Sequence, residues 1–446
     1  MLVALGTALV LVTYVTPMAT VAQTAADLGA GVGARAWMLS SMSVGLAAGL
    51  LASGALGDAR GRRRTYIVGL TGMGLGALGC GLAPWTAVFV GARVLEGLGG
   101  AAILACGLAI LAHAYPQPAD RARATGVWGA SVALGITAGA VLAAALDIGT
   151  GWRETYVVVG VAAIGLVPPS MGLLPESAAE HPRRLDLPGV LTLAASLTLL
   201  VSGLTAARSG LSPGASALLA LGAVLFVVFA VVEARSTQPM VDLGLLRSPG
   251  FLSATLGALV LGVGIIAMTS NVPFLVQVGL GGSLWVATWL VVGWSASSVL
   301  TSLLVRRVAI PLPGPDLIAV AMLVVGLGQL LALGIGPDSS PWRLMPSLVV
   351  SGLATGVLNA VLGREAVANV PADRAAMGSG SNNTARYLGA ACGITVFAVV
   401  LSHAGTGAAE LVEGWSTAVL LSSVVSILGA LCIAVIGRLP RDRDAW

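Results

Sequence analysis

The sequence predicts an all-α integral membrane fold, and three observations carry that prediction. Only 9% of the 446 residues are charged and 57% are hydrophobic, where a soluble globular chain carries about 25% charged residues. Apolar stretches of membrane-spanning length recur from end to end, with short polar connections between them. All 23 basic residues are arginine, and they gather in those connections. A chain of this kind cannot hide its apolar surface in one water-bathed core, so lipid is its solvent. No stretch reads as a water-soluble domain.

At about 20 apolar residues per span, six helices fall near 1–22, 36–57, 65–83, 85–113, 124–147 and 154–174. The opening run MLVALGTALVLVTYV lacks a basic leader and is followed by many more spans, so it reads as the first membrane helix and not as a signal peptide. After the polar ESAAEHPRRLDLPG come two spans, near 189–207 and 213–233, and then the polar EARSTQPMVDLGLLRSPG. Six more follow near 251–278, 284–305, 316–336, 343–364, 377–402 and 415–437. The prediction is therefore fourteen transmembrane helices. Arginine placement orients them: with the N-terminus inside, seventeen arginines fall on the cytoplasmic face and four outside, namely Arg35, Arg153, Arg208 and Arg343. Arg93 and Arg386 remain within or at the edge of spans. One miscounted span would invert every later loop, so the bias supports an even count, both termini in the cytoplasm and a multi-pass protein of the cell membrane.

Composition also excludes several functions. The net charge of +4 does not mark a nucleic-acid binder, because the arginines form no basic helix or aromatic platform. Cys80, Cys106, Cys392 and Cys432 sit in apolar segments without metal-ligand spacing and read as packing residues. The histidines, His113, His181 and His403, form no HExxH pattern, no glycine-flanked serine elbow is present and no phosphate-binding loop appears. We expect no enzyme activity, no cofactor and no bound metal, and a transport process drawn from an ion gradient rather than from ATP.

The most specific stretch is Gly54-Ala-Leu-Gly-Asp58-Ala-Arg60-Gly61-Arg62-Arg63-Arg64, between the second and third spans. Glycine permits a tight turn, an aspartate at a helix end can cap or pair, and the arginines can bond carboxylates and exposed helix carbonyls of neighbouring helices. This stretch resembles the signature loop of the major facilitator superfamily, with Ala59 where a basic residue is usual. Arg93-Val-Leu-Glu96-Gly97-Leu-Gly99-Gly100 is similar to the family's fourth helix, and Gly135-Ile-Thr-Ala-Gly139-Ala140 resembles the antiporter motif of exporters, with Ile136 for its proline and Ala140 for its last glycine. Trp152-Arg153, Gln238-Pro239 and the stretch from Asn382 through Arg386 and Gly389 to Gly393 resemble the fourteen-helix drug/proton antiporter branch. The resemblance implies two six-helix bundles, residues 1–174 and 251–446, joined by cytoplasmic linkers and an inserted helix pair in 175–250, with alternating access around a midplane site.

Charge inside a span costs about 2.5–3.5 kcal/mol on the lenient insertion scale, so Arg93 and Glu96 need a reason to be there. Three residues apart, they can share a helix face. Either Glu96 carries the coupling proton, which would place it on the central cavity, or the two form a permanent structural ion pair. The branch's helix-one carboxylate is missing: Thr13, Tyr14 and Thr16 offer hydroxyls instead, and Pro17 a bend. Trp128, Asn271, Gln277, Trp289, Trp294 and Asn359 are further candidates for the cavity, each with the alternative of an interhelical hydrogen bond or an interfacial aromatic. Arg386 reads as a gate or latch residue near the cytoplasmic end of its helix, or as a snorkelling side chain. The leading functional expectation is proton-coupled export of hydrophobic small molecules by a monomer in contact with membrane lipids. Movement of a lipid-like substrate, or a scaffold or sensor that has lost transport, are the alternatives.

Overall fold

The computed structural model describes residues 1–30, 32–146, 151–178, 187–207, 210–235, 244–245, 248–305, 312–371, 374–404 and 407–439. His181, Gln238-Pro239 and the loop arginines Arg183, Arg184, Arg208, Arg247, Arg306, Arg307, Arg441 and Arg443 lie outside the described residues. Helices come in the order α1 (Leu2–Asp27), α2 (Val32–Arg60), α3 (Arg62–Gly81), α4 (Thr86–Ala114), α5 (Pro118–Ala145), α6 (Arg153–Gly165) and α7 (Val167–Leu173). Next come α8 (Leu187–Ala207) and α9 (Pro213–Arg235). The last are α10 (Pro249–Leu261), α11 (Ala267–Phe274), α12 (Leu284–Val305), α13 (Gly314–Leu330), α14 (Met345–Ala368), α15 (Ala375–Ala404) and α16 (Ala408–Ile436). Because α6 and α7 run on as one rod, and α10 and α11 as another, the described residues build fourteen helical rods. Eleven of them are long and apolar enough to cross a membrane; Leu191–Ala207 and Gly314–Leu330 are apolar but shorter. The remaining rod, α3, starts on Arg62, Arg63 and Arg64.

Element boundaries differ from the expected spans where local chemistry decides. α13 ends at Leu330 rather than near 336, before Gly334 turns the chain at φ +69°. α16 starts at Ala408 rather than near 415, because Glu410 reaches back to accept from the Gly407 N–H at 3.0 Å. The rod from Pro249 to Gly279 is interrupted by π-helical turns at Gly262–Ile266 and Leu275–Gly279. At the first, a side chain on Gly262 would run into the backbone of α15 at Arg386. The π turn therefore sits where the α10–α11 rod and α15 come closest.

Large apolar side chains such as Val68, Leu75, Val227 and Leu431 are exposed, which water would penalise and lipid does not. Interior contacts rest on small residues. Gly45 meets Gly97 where α2 crosses α4, and Gly69 meets Gly99 where α3 crosses α4. Helices α1 to α7 pack mainly on one another, through α1–α5, α2–α4, α3–α4 and α3–α6; α10 to α16 do the same through α12–α14, α13–α14, α13–α16 and α10–α15. These two groups meet along α2–α15 and α4–α15 on one side and α5–α12 and α5–α14 on the other. The α8–α9 hairpin stands outside both and lays α8 against α2 and α15.

The start of α1 and the end of α16 lie at the same end of the molecule as the α2–α3 loop. The Tyr66 hydroxyl, at the start of α3, donates to the Leu2 carbonyl. Gly437 abuts Pro315 at the start of α13, and the neighbouring Gly314 abuts Glu365 at the end of α14.

Candidate functional site

Three linked structures stand out, the first of them a latch at the α2–α3 end. Asp58, in the last turn of α2, accepts from Arg62 Nε at 2.9 Å and pairs with its Nη2 at 2.8 Å. Across the group boundary its two oxygens accept the backbone N–H groups of Ala376 at 3.2 Å and Met377 at 2.9 Å. Those amides open α15, where a helix leaves its donors unsatisfied and favours an anion. Gly54 lets α15 approach, since a side chain there would meet the Ala376 carbonyl. Gly61 turns the chain at φ +117°, a conformation glycine adopts without strain. Arg63 donates to the Met171 and Leu174 carbonyls at the end of α7, both at 3.2 Å, and Glu176 faces Arg63 and Arg64 at 3.6 and 3.8 Å. Arg60 is exposed and makes no hydrogen bond or ion pair to this joint among the described residues. Nearby, Ser379 of α15 donates to the Leu104 carbonyl of α4 at 2.9 Å, so the two groups are closed together at this end.

The second structure is the charge pair. Arg93 and Glu96 are both 0% exposed, and Arg93 Nη1 donates to Glu96 Oε2 at 2.5 Å. The same nitrogen donates to the Thr13 carbonyl of α1 at 2.8 Å. That carbonyl is the one Pro17 orphans: a proline has no N–H to offer the carbonyl four residues back. Arg93 thus supplies the hydrogen bond that α1 cannot make for itself. Thr13, Thr16, Thr20 and Thr24 satisfy their hydroxyls within α1 by donating to carbonyls one turn earlier. Glu96 does not face the central cavity. It packs against Gly76 of α3 inside the first helix group, and its route to the cavity runs through Arg93 and α1.

The third structure is the cavity itself, ringed by α1, α5, α10–α11, α12, α14 and α15. From α1 come Leu11, Tyr14, Val15, Met18 and Ala19, and from α5 Val132, Ile136 and Ala140, each set on one helix face. Opposite stand Thr269, Ser270, Thr288, Trp294, Thr355, Asn359, Arg386 and Tyr387. Among the described residues no aspartate or glutamate lines it. The Tyr14 and Tyr387 rings meet at 5.5 Å between centroids. Gly135 and Gly139, on the flank of α5 beside its cavity stripe, let α5 pack directly on the α1 backbone. The two departures from the antiporter pattern, Ile136 and Ala140, are cavity-wall residues.

Several expected wall residues lie elsewhere. Thr13 is buried with its hydroxyl bonded to its own helix, and its carbonyl accepts from Arg93. Trp128 continues the stripe of Val132, Ile136 and Ala140 one turn toward the latch, but there the groups are shut, and the ring is fully buried against Gly363. Trp289 is 55% exposed on the outer face of α12, while Trp294 on the inner face is 3% exposed. Asn271 and exposed Gln277 border a separate lateral recess, each bonded to a carbonyl of its own helix. This recess shares Tyr14, Met18, Ala19, Ser270 and Pro273 with the cavity and is bounded by Val201 and Thr205 of α8. Arg386 is not at the latch. It lies about 15 Å along α15 from the Asp58 contact, at 1.5 Å rise per residue, and its Nη1 donates to Asn359 Oδ1 at 3.0 Å. The sequence carried a signal for this: counted from the PADR segment at 371–374, Arg386 falls well inside the span.

At the far end, Arg153 holds α1, α3 and α6 together. It pairs with Asp27 at 2.9 Å, donates to the Gly81 and Ala83 carbonyls and stacks over Trp152 at 4.2 Å.

Residues 2–394 match the profile of the Major Facilitator Superfamily. The chain is 29% identical over 384 residues to the "Probable actinorhodin transporter" of Streptomyces coelicolor, covering 83% of this chain and 66% of that protein. It is 31% identical over 376 residues to "Multidrug resistance protein Stp" of Mycobacterium tuberculosis, covering 82% of this chain and 68% of that one. The chain thus spans about two thirds of the length of these relatives. Its fold is similar to that of the human organic anion transporter MFSD10, with a TM-score of 0.67 and 19% identity over 97% of this chain and 98% of the other.

Proposed function

The chain belongs to the major facilitator superfamily, and from that membership we propose that it is a secondary active transporter that exports hydrophobic small molecules, drugs or metabolites, in exchange for protons. The observation that carries the reading is the apolar cavity between the two helix groups, held shut at one end by the Asp58 joint. We assign fourteen spans, with residues 1–174 and 251–446 as the moving bundles and 175–250 as the inserted pair, acting as a monomer in the cell membrane. The latch end is taken as cytoplasmic on the strength of its arginines, so this conformation faces outward.

Protons couple through α1. While Glu96 is ionised, Arg93 serves both the carboxylate and the orphaned Thr13 carbonyl. A proton taken up by Glu96 removes the anionic partner, and the cation is left to the carbonyl at the Pro17 bend. Tyr14, the next residue, stands on the cavity wall. Loading Glu96 therefore acts on the cavity through one turn of α1 without the proton and the cargo sharing a site. The lateral recess beside α8 favours a second reading of the cargo, a lipid-like molecule entering from the bilayer. Reconstitution into proteoliposomes tests both. Proton release stoichiometric with cargo efflux supports the exchanger, dependence on acyl-chain substrates supports the lipid reading, and transport of neither class under an imposed pH gradient refutes both.

A further inference from the structure

We propose that the central cavity recognises a planar anion, a carboxylate carried on an aromatic body, through the guanidinium of Arg386; the proposal rests on the reading of this cavity as the cargo site.

Arg386 borders the cavity yet is only 3% exposed, and its one hydrogen bond among the described residues goes to a neutral acceptor, Asn359 Oδ1. Nε and Nη2 are buried without a partner among the described residues. Arginine does not shed its proton in proteins, and an unpaired buried charge is costly unless something completes it. Nothing in the wall does so, for no carboxylate lines it among the described residues. The two buried carboxylates nearest in role are already engaged, Glu96 by Arg93 and Asp58 by Arg62. The wall is therefore cationic.

The identity of the unused donors narrows the ligand. Nε and Nη2 share one edge of the guanidinium plane and point their N–H bonds in parallel, the arrangement that meets both oxygens of a carboxylate. Arg93 leaves the same two donors unpartnered, but Glu96 neutralises its charge; Arg386 has no carboxylate among the described residues to do so. Beside it the Tyr14–Tyr387 ring pair and buried Trp294 form an aromatic surround, suited to a flat apolar body. The same wall disfavours lipophilic cations, since like charges in a dry site repel.

Three probes of one size test this at neutral pH: naphthoate, naphthalenemethanol and naphthylmethylammonium, in equilibrium dialysis against the purified full chain in detergent. The parent protein should bind naphthoate at least about tenfold more tightly than the alcohol, equivalent to about 1.4 kcal/mol, and the ammonium most weakly. In Arg386→Gln the ratio of naphthoate to alcohol affinity should fall about tenfold, to near one. Asn359→Asp sets a carboxylate against the guanidinium without removing it, and should collapse the same ratio even if Arg386→Gln fails to fold. A merely structural arginine would lower both affinities together and leave the ratio standing. Preference for the ammonium, no preference in the parent, or a ratio unchanged in a folded variant overturns the proposal. If the alcohol is bound without any preference for the anion, the transporter reading survives and the anion site falls. If no probe binds, both fall.

Discussion

Replacing Asp58 with asparagine should unlatch the molecule. The carboxylate accepts from four donor atoms, two on Arg62 and the backbone amides of Ala376 and Met377. Asparagine keeps the size but offers one acceptor oxygen, and wherever its NH2 is placed it confronts an N–H. At least one charge-assisted bond is lost, worth about 1.5–3 kcal/mol, together with an anion at a helix N-terminus, worth about 0.3–1 kcal/mol. Part of this loss falls on the Arg62 contact, which stays within one helix group in both conformations. The part that crosses to α15 is about 2 kcal/mol, a factor of about 30 in the closed-to-open ratio. A latch closed in about 99% of molecules would then be open in about a quarter of them. Spin labels at Arg60→Cys and Ala368→Cys, both exposed at this end, report the change as a longer distance population once Cys392 and Cys432 are replaced by serine. A distance distribution identical to the parent's would refute the assignment of the latch to Asp58 and return the loop to an ordinary cytoplasmic turn.

Glu96→Gln should abolish uphill transport driven by a pH gradient while cargo binding persists, because the amide still accepts from Arg93 but cannot release a proton; parental flux in proteoliposomes would remove Glu96 from the coupling path. Arg93→Met should cost about 3–5 kcal/mol by leaving a buried carboxylate alone, and Arg93→Met with Glu96→Met together should recover most of it, as read by thermal unfolding of the detergent-solubilised protein. Additive losses would mean the two charges do not depend on each other. Trp294→Ala should weaken cargo binding about tenfold and Trp289→Ala should leave it within about twofold, checked by the same dialysis; equal effects would contradict the placement of α12. Arg153→Ala should lower stability by about 1–2 kcal/mol through the lost Asp27 pair and its carbonyl contacts, without altering the ratio of cargo affinities.

What the sequence revealed and what it concealed divide along chain distance. The α2–α3 loop was legible because its chemistry is local: a positive-φ glycine, an aspartate in the last turn and arginines beyond it name the kind of contact they make, even though Ala376 and Glu176 could not be named as partners. The cavity was legible only in fragments, because six helices far apart in the chain share it, and the rotation of each about its axis decides which side chains turn inward. Trp289 and Trp294 show the difficulty: five residues apart, they stand on opposite faces of α12, one in the position for lipid and one on the cavity. The two tryptophans themselves do not rank one face over the other, since lipid and protein interior both accept tryptophan; the local signal is the set of small hydroxyls Thr288, Ser295, Ser298 and Ser302, all buried. Trp128 was hidden for another reason, since its face is right and its level is wrong in this conformation.

Pro17 and Arg93 carry the argument one step further. Taken separately, one is a bend in the first helix and the other half of an ion pair. Together they are a single device, in which a missing amide hydrogen on α1 creates a buried acceptor and a cation on α4 fills it at 2.8 Å. An orphaned carbonyl within a membrane costs several kcal/mol, so Pro17 would count as a defect without Arg93, whose own charge is already met by Glu96. Glu96 draws on the same Arg93 nitrogen that holds the carbonyl, and in the coupling proposed above a proton on Glu96 would act through that shared nitrogen. The exchanger proposed above lacks the branch's helix-one carboxylate, and Arg93 would still give it a way to address helix one. It does so through the backbone, at the one position where proline has left the backbone open.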